Sequence, residues 1–212
     1  MHVKTEEMHH AELYRLLAAL VVPRPIALIT SVDRQGVVNA APYSFFNILS
    51  DDPPVMAFGA ASRACGRLKD TADNIEATGE FVVNMVHGDI LERMNICSAA
   101  VPSGLSEPAL AGLGLADSVT VRVPRIDEAL VSYECKHRET MILDARSRIV
   151  FGTIGAIRIA DHIIDAENMR IKLEAYRPVG RLFGQLYTRI SEIVELKPVD
   201  ADELVQSAKV PV

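Results

Sequence analysis

Leu13, Leu16, Leu17 and Leu20 recur at helical spacing and predict an amphipathic helix over residues 11–20. Pro23 and Pro25 stop it, because proline lacks an N–H and restricts its predecessor. A short apolar run over 26–32 predicts a strand, and Asp33-Arg34-Gln35-Gly36 a turn. A second strand over 37–49, bulged at Pro42, and a third over 55–60 flank the turn Asp51-Asp52-Pro53-Pro54. Leu68, Ala72 and Ile75 then mark a helix that Gly79 ends. Residues 81–86 predict a strand and 90–99 a helix. Prolines and glycines through 101–116 predict a long connection with one helical turn.

Alternation at Val119, Val121 and Val123 predicts another strand. Residues 130–143 and 148–160 read as a long hairpin turning at Asp144-Ala145-Arg146-Ser147. Gly152 and Gly155, inside its second strand, predict the bulges a small barrel needs. A short helix is expected over 168–175, then a Gly- and Arg-rich segment over 176–187 and a polar tail. Six or seven strands, few helices and no βα alternation predict a mainly β chain, a β-barrel with flanking helices. It forms one domain over 1–212.

Composition changes this picture little. Hydrophobic residues make up 49% of the 212 and charged residues 24%, which suffices for a core without disulfides or metal. A net charge of -6 argues against nucleic acid as the partner, and no apolar stretch is long enough to span a membrane. Cys65, Cys97 and Cys135 are dispersed, form no CxxC pair and fit a reducing compartment. The polar, acidic start of the chain is unlike a signal peptide, so the expected location is cytoplasmic. The six histidines show no metal-ligand spacing, no GxSxG is present, and no GxGxxG follows a strand.

Three segments could carry chemistry. In Asn39-Ala40-Ala41-Pro42-Tyr43-Ser44-Phe45-Phe46-Asn47, small side chains and a missing donor let a flat ligand approach, beside the polar groups of Asn39, Ser44 and Asn47. The same residues also read as a kinked edge strand. Arg63 with Lys69-Asp70-Thr71 forms a helix start ringed by cations, suited to a phosphomonoester, or an ordinary capped surface helix. Arg177-Pro178-Val179-Gly180-Arg181, running on to Tyr187, suits a ligand-covering or subunit-contact loop, or a plain turn.

In order along the chain, several stretches resemble the flavin reductase-like, FMN-binding split-barrel proteins. They are Pro23-Arg24-Pro25-Ile26-Ala27-Leu28, the 39–47 segment with Asp52-Pro53-Pro54, Lys69-Asp70-Thr71 with Asn74-Ile75, Gly79-Glu80-Phe81-Val82-Val83-Asn84, Glu134-Cys135-Lys136, and Gly180-Arg181 with Tyr187. The resemblance implies a homodimer with FMN near the subunit interface. It matches Arg63, Lys69, Asp70 and Thr71 to the family's phosphate-binding segment. It matches Asn39, Ala40, Ala41, Pro42, Tyr43 and Ser44 to the segment along the ribityl chain and isoalloxazine, and adds Arg181. The implied activity is hydride transfer from NADH or NADPH to flavin, with electrons passed to free flavin, oxygen or a partner oxygenase. No protein acid or base is required, so no catalytic residue is assigned. The alternative is an FMN electron-transfer or FMN-binding protein with no nicotinamide activity. A third reading, direct reduction of an organic substrate, would use a pocket near the 101–116 loop.

The phosphate segment makes a direct prediction. One charge-assisted hydrogen bond is worth about 1.5–3 kcal/mol, so FMN should bind at least about tenfold more tightly than riboflavin. Lys69→Glu should remove that preference while leaving the melting temperature unchanged. Fluorescence titration with both flavins measures it, and equal affinities for the two would move the phosphate site elsewhere.

Overall fold

The computed structural model describes residues 1–61, 70–201, 203 and 204. Helix α1, His10–Leu20, leads into β1, Arg24–Pro25, and β2, Ala27–Val32. Then come β3, Val38–Tyr43, β4, Phe46–Asp51, and β5, Pro54–Ala61. Helix α2, Asp70–Thr78, precedes β6, Glu80–Met85, and Gly79 ends the helix at φ +75°, a conformation that favours glycine. Helix α3, Leu91–Ile96, and one turn of α4, Glu107–Leu110, are followed by a small pair, β7, Leu115–Ala116, with β8, Arg125–Ile126. The long hairpin is β9, Val131–Ile142, and β10, Ser147–Ile159.

Seven of these strands form one antiparallel sheet in the order β3-β2-β6-β9-β10-β5-β4. Its two edges, β3 and β4, are consecutive in the chain and separated only by Ser44 and Phe45. A link that short forces the sheet to curl until its edges meet. The Gly59 N–H donates to the Phe45 carbonyl at 2.7 Å, carrying the β4–β5 ladder on to the corner residue. The curl is eased where expected: pairing of β10 with β9 slips between Phe151 and Gly152 and again between Ile154 and Ala156. Gly152 is also a close approach, since a Cβ there would run into the Phe81 ring. The interior is filled by Ile29, Tyr43, Met56, Phe58, Ile75, Phe81 and Val83 from opposing strands and α2.

A second apolar cluster lies outside the sheet, where Leu28, Ala40 and Val86 meet Ile90, Met94, Leu113 and Ile126. After β10, β11, Ile164–Asp165, pairs with β12, Arg170–Ile171, and helix α5 covers Leu173–Tyr176. The 168–175 expectation is therefore corrected: a hairpin occupies its first half. Two last strands, β13, Val179–Arg181, and β14, Tyr187–Arg189, join β1 in a separate three-stranded sheet.

The expected strand at 119–123 is absent. Glu134 on β9, 2% exposed, explains why. Its carboxylate accepts from the Val119 N–H at 2.9 Å, the Thr120 N–H at 2.6 Å and the Thr120 hydroxyl at 2.7 Å. Donors that a neighbouring strand would have used are taken by one side chain, and the segment bends around it. Val121 and Val123 still bury themselves against Val82, so the apolar alternation was real, but Val119 is exposed. Asn84 supports the same region, accepting from the Ile126 N–H and the Ser132 hydroxyl, each at 2.9 Å.

Burial drives the Glu134 pKa upward, but the Thr120 hydroxyl and the backbone donors together outweigh it and hold it below the ordinary carboxylate value. A depressed carboxylate pKa contributes stability above the unfolded value of 4.5 and loses it as pH falls through the folded value. Glu134→Gln should cost about 2–3 kcal/mol at pH 7. Thermal melts from pH 7 to 3 should show the gap to wild type closing below pH 4.5. A constant gap would mean the charge contributes nothing.

Candidate functional site

The alternation of β3 divides the 39–44 segment between two environments. Asn39 and Tyr43 are buried, with Ala41 packed against the interior cluster, while Ala40 belongs to the outer cluster. The Asn39 amide donates to both carboxylate oxygens of Glu107 at 2.9 Å, and its Oδ1 accepts from the Thr71 hydroxyl at 2.8 Å and the Ser31 hydroxyl at 3.3 Å. Asn74 donates to the Ser31 Oγ at 3.1 Å. Asn39 and Thr71 are thus brought together, and the Asn39 amide is fully engaged by protein partners. Asp70 sits half-buried at the start of α2, and accepts from the Ser103 hydroxyl at 3.2 Å. Arg63 and Lys69 lie outside the described residues.

Glu107 was not singled out in the sequence. It is 6% exposed and also accepts from the Ala40 N–H at 3.1 Å, a donor that edge strand β3 leaves outside its ladder. Burial raises its pKa, and Asp70 adds to the rise against the donors from its own backbone, Ala40 and Asn39. The signal was a lone acid between Ser106 and Pro108 in a loop, with no periodicity to mark it as buried. The Tyr43 hydroxyl is buried, and burial pushes its pKa up to about 12 against the opposing effect of the nearby Thr71 hydroxyl.

Ser44 and Pro42 face a different space. A cavity of about 370 Å³ is lined by Tyr14, Arg15 and Ala18 of α1, by Arg24 and Ile26, by Pro42, Tyr43 and Ser44, by Met94, Asn95 and Ser98, and by Arg181, Phe183, Gly184 and Tyr187. Its size falls at the small end of the roughly 300–1,000 Å³ of ligand pockets. Among the described residues no acidic side chain is in that lining.

Arg24 holds the cavity wall together. It is 6% exposed and donates to Ser44 Oγ at 3.3 Å, to the Ala18 carbonyl, to the Val21 carbonyl at 2.8 Å and to the Leu182 carbonyl at 2.6 Å. It thereby ties the C-terminal end of α1, the closing corner and the β13–β14 loop to one guanidinium. Burial lowers its pKa, with Arg181 adding to the effect and Tyr14 opposing it. Arg181 stacks on the Tyr187 ring, 4.4 Å from its centroid, and donates to the Gly184 carbonyl. The Tyr187 hydroxyl donates to Asn95 Oδ1 at 3.2 Å, fixing that platform.

Cys97 and Cys135 are buried, with thiol pKa values pushed up by burial, so neither is a poised nucleophile. Among the described residues no cluster of His, Cys, Asp and Glu could hold a metal ion, and no helix is long and apolar enough to cross a membrane.

Residues 19–178 match the Flavin reductase like domain. The structure of Pseudomonas fluorescens 2-nitrobenzoate 2-nitroreductase NbaA superposes with a TM-score of 0.87 at 36% identity, covering 95% of this chain and 98% of the other. Component B of nitrilotriacetate monooxygenase from Bacillus cereus gives 0.88 at 32% identity, covering 92% and 98%. A Shewanella frigidimarina protein with a split barrel domain gives 0.80 at 23% identity, covering 94% and 100%, a likeness of fold.

Glu107→Ala would leave the Asn39 amide and the Ala40 N–H buried without acceptors. At about 1–3 kcal/mol per stranded group, urea unfolding should show a loss of about 2–4 kcal/mol. Wild-type stability in that variant would mean the carboxylate is not what holds the outer edge of β3.

Proposed function

Because the chain belongs to the flavin reductase-like family and is thereby a flavin-related oxidoreductase, we propose that it is an FMN-binding, NAD(P)H-dependent flavin reductase acting as a homodimer. The observation that carries this reading is the arginine-lined cavity opening against Pro42, Tyr43 and Ser44, with no acid among its described lining residues. Those residues fit a flat anionic cofactor. Pro42 brings no N–H that needs a partner, Ala40 and Ala41 are small, and Ser44 supplies a polar atom. The backbone N–H groups of Asp70 and Thr71, with Arg63 and Lys69, would hold the phosphate. Asn39 would act by fixing the shape of β3 around its bonds to Glu107 and Thr71.

Bound flavin would supply the capacity to accept hydride from a nicotinamide and to pass electrons onward. The protein's part is to bind and orient. Arg181, held against Tyr187, is the residue we assign to the dinucleotide's pyrophosphate. Exposed Phe45, Ile48 and Leu49 at the corner and along β4 support a second copy packing there. One relative is named as a nitroreductase and another as a monooxygenase component, which supports an acceptor beyond the flavin, an oxygenase partner among the candidates.

Anaerobic stopped-flow tests the reading. FMN-loaded protein mixed with excess NADH or NADPH should bleach within seconds with at least one of them. Arg181→Ala should then raise the half-saturating nucleotide concentration about tenfold, the value of one lost charge-assisted bond. No bleaching over many minutes would leave an electron-transfer flavoprotein without nicotinamide activity.

A further inference from the structure

Glu107 stands on the single turn of α4, buried and outside the described lining of the cavity. Its carboxylate only accepts, and the Asn39 side-chain amide donates to both of its oxygens at 2.9 Å. That fixes which way round the amide sits. With Nδ2 turned to Glu107, the Asn39 Oδ1 faces the opposite way. There it accepts from the Thr71 hydroxyl, in the first turn of α2, at 2.8 Å and from the Ser31 hydroxyl on β2 at 3.3 Å. Asn74, further along α2, donates to the same Ser31 at 3.1 Å. The ties made by Thr71 and Asn74 therefore converge, directly or through Ser31, on one amide oxygen whose direction Glu107 sets. The 101–116 connection, which carries Glu107, also touches the helix start through the Ser103 hydroxyl, which donates to Asp70 at 3.2 Å. From this arrangement we propose that Glu107 is a positioning residue for the cofactor. By orienting Asn39 it holds the start of α2 in place against β3, and so sets the preference for a flavin that carries a phosphate over one that does not.

The inference rests on the flavin reading, which puts the phosphate at the start of α2 and the flavin ring along β3. One ligand spans both segments, so its phosphate is gripped only while the two keep their separation. Glu107 acts through Asn39 and Thr71. The Thr71 hydroxyl spends its proton inward on Asn39, which leaves backbone N–H groups as what the helix start offers the phosphate. The charge of Glu107 acts in the other direction. A carboxylate behind the phosphate site repels a dianion, as does Asp70 in the first turn of α2. Geometry and charge thus predict opposite signs when the carboxylate is removed, and that separates them by experiment. The long 101–116 connection gains a role as well. No described lining residue of the cavity comes from it, and it braces the phosphate segment from behind.

Fluorescence titration with FMN and riboflavin reads the preference as a ratio of affinities. Glu107→Ala should cut that ratio about fivefold or more, the value of about one hydrogen bond, with riboflavin affinity within about twofold of wild type. A role in stability alone would lower the melting temperature and leave the ratio unchanged. Removal of a repelling charge alone would raise the ratio. Either result would overturn the inference. Glu107→Gln combined with Asn39→Asp exchanges the two groups and keeps the charge count. The amide at position 107 then donates to the carboxylate at position 39 and accepts from the Ala40 N–H, while that carboxylate accepts from Thr71 and Ser31. The pair should restore the wild-type ratio. Asn39→Asp alone, which sets two carboxylates face to face, should not. A folded pair that keeps the ratio of Glu107→Ala would overturn the inference. Hydrogen exchange at the amides of 70–74, measured without flavin, reads the tie directly. It should be faster in Glu107→Ala and return to wild type in the pair, and unchanged exchange in Glu107→Ala would also overturn the inference. If wild type shows no preference for FMN and this exchange still follows Glu107, the positioning of α2 stands and the phosphate reading falls.

Discussion

The two-residue link between the edges of the sheet is the constraint on which the rest of the structure depends. Because β3 and β4 are joined through Ser44 and Phe45 alone, a seven-stranded sheet must bend far enough for its first and last strands to meet. Everything near the site follows from how that corner is held. Tyr43 packs against Phe58 inside, the rings tilted by 56° with centroids 4.7 Å apart, and the Phe45 carbonyl is taken by Gly59. Outside, Ser44 accepts from Arg24, which also gathers the end of α1 and the β13–β14 loop. The corner therefore presents Pro42 and Ser44 to open space while anchoring the residues on either side of them. Phe45 contributes from the exposed side, lying 5.7 Å from the Arg24 guanidinium.

Features with a local cause were legible in the sequence. Helix α1 showed its apolar stripe, Gly79 its stop, and Gly152 and Gly155 the places where a long strand must slip in register. Features decided by one distant side chain were not. The valines at 119–123 alternate as a strand does, and two of the three are indeed buried. Whether that segment joins a ladder depends on where its N–H groups go, and Glu134, fourteen residues from Thr120, takes them. The 168–175 segment failed for a similar reason: Arg170–Ile171 finds Ile164–Asp165 to pair with before the helix begins.

At the site, residue identity was easier to read than residue duty. The 39–44 segment and the start of α2 were picked out separately, and the fold joins them through Asn39 and Thr71. Sequence could not show that the bond partners of Asn39 are all inside the protein, because Glu107 arrives from a loop 68 residues away. Nor did it flag Arg24 beyond a match in a motif. Between two prolines an arginine reads as a solvated turn residue, and only the folded chain reveals the carbonyls that bury it.

Two polar regions thus meet at β3 with opposite character. Behind the strand, Ser31, Asn39, Thr71, Asn74 and Glu107 satisfy one another, a closed network that rigidifies the backbone and leaves little for a ligand. In front of it, guanidinia with unspent donors surround an open cavity. The net charge of -6 would oppose anionic ligands if charge acted over the whole molecule. It does not, because exposed charges are screened beyond about 8–10 Å at physiological salt. Among the described residues the charged side chains that line the cavity are arginines, so its wall itself is cationic. The strand thus has a satisfied polar back and a cationic front in a chain whose overall charge is negative.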